Sequence, residues 1–186
     1  MHSSSSDSNF SYDSESDFEE TVEERSVQVD QTIEQIIRDQ TITDQIKCNK
    51  LKKFSADYGS SKAQLWLARY FFQCGSTKKC QRYLEFILFD QCDEHYTEAK
   101  YLRANLFEHT QDYVGAFKTY KELSKFRKLR DPFIKAAKYK VGIYYLSKGE
   151  TRKGLLRLKH SGCKINAKDV EKFVSKKDLI ELINSK

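Results

Sequence analysis

An all-α fold, an α-solenoid of about three helical hairpins with flanking capping helices, is predicted by three observations. One proline and seven glycines in 186 residues leave few helix breakers, and the apolar residues recur at helical rather than alternating spacing. An Ala is followed five positions later by a second small residue in Ala63/Ala68, Ala99/Ala104 and Ala137/Gly142, a unit that recurs every 36 to 38 residues. A third small residue stands seventeen positions after each Ala, as Cys80, Ala116 and Gly154. A fixed period of that length marks stacked supersecondary units.

Residues 1–30 read as an acidic, Ser-rich disordered arm, because Phe10, Tyr12, Phe18 and a few valines bury too little to offset the entropy of ordering it. In residues 31–58, Ile33, Ile36 and Ile37, then Ile42 and Ile46, predict one or two helices that cap the array, with Thr32 and Gln35 at capping-box spacing. The repeats span 60–165. Ser61 and Gln64 show the same capping-box spacing, and Gly75 is placed to end a helix over 62–73. Its partner runs from about Lys78 to Phe89, with Tyr83, Leu84, Ile87 and Leu88 on one face. A second pair occupies roughly Thr97–Glu108 and Tyr113–Phe126. The third starts at Asp131, an N-cap followed by Pro132 at the first helical position, where proline's fixed φ suits the helix. Gly149 closes that helix, and Arg152–Lys159 begins its partner. In 166–186, a last helix after Ser175 carries Leu179, Ile180, Leu182 and Ile183 and covers the end of the stack.

The repeated positions have a physical reading. Helices approach to about 8 Å only where neither carries a bulky side chain at the crossing, and the offsets five and seventeen are small in all three units. Large residues flank that crossing at offset eight (Phe71, Phe107, Tyr145) and offset twenty-one (Leu84, Tyr120, Leu158). Offset twenty-four holds Ile87, Leu123 and Ser161. A plain helical bundle also fits the composition, but agreement in size at several offsets is hard to obtain without repetition. One hairpin cannot bury its own apolar faces, so the three must stack.

The segments Ala63–Tyr70, Ala99–Leu106 and Ala137–Tyr145 resemble the first helices of Sel-like repeats, longer relatives of tetratricopeptide repeats (TPR-like). The stretch Gly149-Glu150-Thr151-Arg152-Lys153 resembles the linker of the fungal chitin synthase activators, which are Sel-like repeat proteins. Asp112–Tyr120, with Ala116-Phe117 and Tyr120, resembles their second helix. The likeness covers about residues 60–163, and it departs from that family in its smaller number of repeats and in lacking a C-terminal prenylated cysteine. It implies a regulatory subunit that acts on chitin synthase at the cytoplasmic side of a membrane.

Charge is unevenly distributed. Residues 1–30 carry nine acids and one base, a net −8, which leaves +14 on the remainder of a chain whose net charge is +6. Ser4, Ser14, Ser16 and Thr21 each stand three residues before an acid, a spacing acidophilic kinases favour, and phosphorylation would deepen the negative charge. The arm otherwise serves as a solubilising tail or as a shield over the basic body. No apolar run approaches the ~18 residues of a membrane span, and no signal-peptide pattern opens the chain, so a cytoplasmic location is expected, peripheral to a membrane only through a partner. The five cysteines form an odd set without paired spacing, as expected for reduced thiols.

Repeat arrays line a groove with their first helices, and the ligand-facing positions map to Arg69, Gln73, Tyr101, Asn105, His109 and Tyr139. The spacing of four in 69/73 and 101/105/109 places those side chains on single helix faces. The expected function is a non-catalytic adaptor or regulatory subunit that binds a protein segment there. The alternative is an RNA-binding helical-repeat protein that uses basic residues around Lys125, Arg127, Lys128 and Arg130, and from Lys148 to Lys164. Cys74, Cys80, Cys92 and His95 are metal-ligand types, but their spacing fits no usual zinc knuckle. No phosphate-cradling glycine loop or nucleophile elbow occurs, so neither an enzyme nor a cofactor is expected.

Overall fold

The computed structural model describes residues 14–127, 130–175, 177, 178 and 180. Ser4, the rest of residues 1–13, Lys128, Leu179, Leu182 and Ile183 lie outside the described residues. Helices and their connections make up all of the described residues, which contain no strand. The chain divides into two compact units, residues 1–60 and 61–186.

The first unit is a pair of packed helices, α1 (Ser14–Arg38) and α2 (Asp44–Tyr58). Asp39 turns the chain between them, its carboxylate accepting from the Thr41 N–H at 2.8 Å and the Thr41 hydroxyl at 2.6 Å. Thr43 caps α2, and Lys47 donates to the carbonyl of Ile37 at 2.8 Å, which ties α2 to the last turn of α1. Two expectations change here. The acidic stretch from Ser14 to Asp30 is helical, because it continues in register into the apolar turn that carries the buried Ile33. Thr32 therefore lies inside a helix, where its hydroxyl bonds the carbonyl of Gln28, and it forms no capping box.

The second unit holds three consecutive hairpins: α3 (Ser61–Gln73) with α4 (Thr77–Phe89), α5 (Tyr96–His109) with α6 (Tyr113–Leu123), and α7 (Pro132–Ser147) with α8 (Thr151–Lys159). Each second helix packs on the next first helix, and α3, α5 and α7 also touch in sequence, so the first helices form a continuous row. This is an α-solenoid. The short α9 (Ala167–Val170) packs against α7.

The small residues stand at the hairpin crossings. Ala63, Ala68, Cys80, Ala99, Ala104 and Ala137 are fully buried, Ala116 nearly so, and Gly142 and Gly154 are buried as well. The large residues beside them close the core, with Leu84, Tyr120 and Leu158 almost completely covered. One core cluster runs from Ala104, Ala116, Tyr120 and Leu123 of the second hairpin into Ile134, Ala137 and Val141 of the third. Burial of a Leu or Ile side chain contributes about 1.5–3 kcal/mol, so much of each hairpin's stability comes from its neighbour.

The three first helices end identically. Gly75, Gln111 and Gly149, each twelve positions after the repeat's leading Ala, adopt the left-handed conformation at φ 71°, 63° and 76°. In each case the next N–H reaches back to the last turn: Ser76 to Phe71, Asp112 to Phe107 and Glu150 to Tyr145, at 2.8, 2.8 and 2.9 Å. This is the Schellman closure. Asp131 caps α7 as expected, accepting from the N–H groups of Phe133 and Ile134 at 2.8 and 3.1 Å, and its second oxygen accepts from the Thr97 hydroxyl at 2.8 Å. The start of α7 is thereby bonded to the start of α5.

The far end of the stack is covered by residues that follow α8. Val170, fully buried, joins Leu146 and Leu158 in a cluster that Ile165, Phe173 and Val174 extend, so residues before Ser175 cover the third hairpin. Ser175 bonds Asp178 through both its hydroxyl and the Asp178 N–H, a helix-capping arrangement, and Ile180 beyond it is exposed.

Candidate functional site

The row of α3, α5 and α7 carries all six residues that the sequence assigns to a ligand-facing surface. The structure gives them different surroundings and brings only Tyr101 and Asn105 together, through Tyr120. Arg69, on α3, pairs with Glu98 at the start of α5. One turn further on, the ring of Phe72 meets His109 edge-on, with centroids 5.7 Å apart. Gln73 and His109 are exposed. Arg69 and Gln73 of α3 and His109 of α5 thus stay accessible on two touching first helices, with Arg69 held at the Glu98 end of α5 and His109 at its opposite end.

Tyr101 and Asn105 face inward from α5. The Tyr101 ring lies 5.5 Å from that of Tyr120 and 5.8 Å from that of Phe133, while Asn105 Oδ1 accepts the Tyr120 hydroxyl at 2.6 Å. Both are half-buried. Burial, helped by the nearby Glu108 charge, pushes the phenol of Tyr101 up from its ordinary value, and the same causes act more strongly on Tyr120. Tyr139, on α7, donates its hydroxyl to Asp169 at 3.0 Å and accepts from the Asn166 N–H at 3.3 Å, which ties α7 to the turn before α9.

Sequence reasoning missed the acids and the lysine that complete these seams. Glu98 partners Arg69, Glu108 accepts from Lys140 at 2.8 and 3.1 Å, and Asp169 partners Tyr139. Each bond joins residues 29 to 32 positions apart, so no local pattern reveals it. Their signal is charge complementarity between helices whose adjacency must first be known.

Among the described residues no three His, Cys, Asp or Glu side chains are placed to hold a metal ion. Cys80 is buried at the α3/α4 crossing, whereas Cys74 and Cys92 are exposed. Desolvation pushes the Cys80 thiol up to about 11, the environment of a packing residue and the opposite of an activated nucleophile. No helix among the described residues is long and apolar enough to cross a membrane. No family model, curated protein or solved structure matches this chain.

Proposed function

We propose that this chain is a non-catalytic adaptor or regulatory subunit that docks a segment of another protein along the α3–α5–α7 row. The observation that supports the reading best is that Arg69, Gln73 and His109 remain exposed on two first helices that touch, α3 and α5. Exposed guanidinium, amide and imidazole groups held on rigid helices suit hydrogen bonding to an extended or helical peptide. The bonds that engage Tyr101, Asn105 and Tyr139 give those residues the task of holding the row in shape. In its most concrete form, drawn from the resemblance to Sel-like repeat proteins, the docked segment belongs to chitin synthase and the chain works peripherally at the cytoplasmic face of a membrane.

Panning a random peptide library on the full chain tests this. Selected peptides should lose binding to an Arg69→Ala, His109→Ala double variant that melts like the parent, and their binding should weaken as salt screens the Arg69 guanidinium. Failure to enrich any peptide, or binding indifferent to the double variant, removes the proposal.

A further inference from the structure

Helices α7 and α8 contain seven lysines and arginines and no carboxylate. Two of these cations are matched by neighbours, Lys140 by Glu108 and Lys153 by Glu150. On the side where the end of α6 meets α7 and α8, the balance is different. A cleft of about 500 Å³ is lined there by Lys125 and Arg127 after α6, Lys138 of α7, and Arg157 and His160 at the end of α8. A second hollow, of about 400 Å³, continues from it past Arg157 and His160 to Lys153 and Tyr145. Among the described residues no acid lines either one.

The nearest carboxylates along the chain are engaged elsewhere. Glu122 pairs with Lys100 at 3.3 Å, and Asp131 caps α7 and binds Thr97. Lys125, Arg127, Lys138 and Arg157 form no ion pair among the described residues. The end of α6 and the end of α8 favour cations through the helix dipole, but Lys138 lies in the middle of α7, so the dipole does not account for the whole set. A concave wall of one sign concentrates potential and attracts counter-ions.

The geometry points to this cleft as a binding site for a compact anion bearing two or more phosphoryl groups. The cations come from three separate segments and surround a hollow, where a strand of nucleic acid would call for a stripe along the surface. The volume falls within the range of ligand pockets, ~300–1,000 Å³, and exceeds what one phosphate fills. A phosphomonoester carries about −1.5 to −2 charge, so four cations match two such groups. The ligand is a free polyphosphorylated metabolite or the headgroup of a phosphorylated lipid.

Calorimetric titration of the full chain tests the site at about 150 mM salt, with inositol hexakisphosphate, inorganic phosphate, vesicles containing phosphatidylinositol bisphosphate, and single-stranded polyuridylate as probes. Inositol hexakisphosphate should bind far more tightly than phosphate, and a Lys125→Gln, Arg127→Gln pair or a Lys138→Gln, Arg157→Gln pair should each weaken it about tenfold or more. The first pair lies outside the helices, so it tests the site even if the second unfolds. A control pair on exposed positions of α4 and α6, Lys78→Gln with Lys118→Gln, should leave binding unchanged. Vesicle binding with the same dependence on the cleft pairs supports the proposal with a lipid as source, and its absence supports it with a soluble ligand. Equal weakening by control and cleft pairs, or a preference for polyuridylate, overturns it.

Discussion

A Cβ on Gly154 would stand 3.0 Å from the carbonyl oxygen of Gly142, so the backbones of α7 and α8 meet where these two glycines face each other. The same hypothetical Cβ would lie 2.5 Å from Cδ2 of the buried Leu146. Ala normally gains about 1 kcal/mol over Gly inside a helix. Here the clash should reverse that sign: Gly154→Ala is expected to lose about 1–3 kcal/mol, read as a lower urea midpoint. A stabilised variant would mean the hairpin closes less tightly than the glycines imply.

Gln111 occupies the left-handed position that glycine holds in the other two repeats. An L side chain with a Cβ is disfavoured there by about 1 kcal/mol. Gln111→Gly should therefore raise stability by up to about 1 kcal/mol, whereas Gly149→Ala should lower it by a similar amount. Thermal melts of the two variants should shift in opposite directions.

Asp131 joins two hairpins with one carboxylate, capping α7 and accepting from Thr97 of α5. Asp131→Ala should cost about 1–2 kcal/mol for the lost cap, plus the unsatisfied Thr97 hydroxyl. Thr97→Val removes only the second bond and should cost less. A double-mutant cycle by chemical denaturation measures the coupling.

The Cys80 thiol titrates higher in the folded chain, at about 11 against 9.0 for an unperturbed thiol. The folded state thus holds its proton longer, so this contribution to stability is present below pH 9 and is lost as pH rises through that window toward about 11. Tyr101 and Tyr120, both raised by burial, extend the loss above their ordinary value. Stability measured from neutral to alkaline pH should fall beyond pH 9, less steeply in Cys80→Ala. Under native conditions a thiol reagent should modify Cys74 and Cys92 quickly and Cys80 only on unfolding.

The hairpins were legible because their determinants are local or periodic. Small residues at fixed offsets announce a helix crossing, and Asp131-Pro132 and Gly149 are start and stop signals that act within one turn of chain. Gln111 shows the limit of that reasoning: its left-handed turn, closed by the bond from the Asp112 N–H to Phe107, could not be inferred from a residue that rarely adopts it. Thr32 fails for the opposite reason, since a capping-box spacing has no force when the helix continues through it.

By itself, then, the chain's one-dimensional pattern specified three stacked helical hairpins, because periodicity and capping are written in neighbouring residues. Only the tertiary structure decided how the polar groups on the α3–α5–α7 row are shared. Arg69 turns to Glu98, Tyr139 to Asp169 and Glu108 to Lys140, while Lys138 and Arg157 converge with Lys125 and Arg127 around a cleft. Charges find partners by distance in space, and helices about thirty residues apart in the chain come within reach only after the hairpins have stacked.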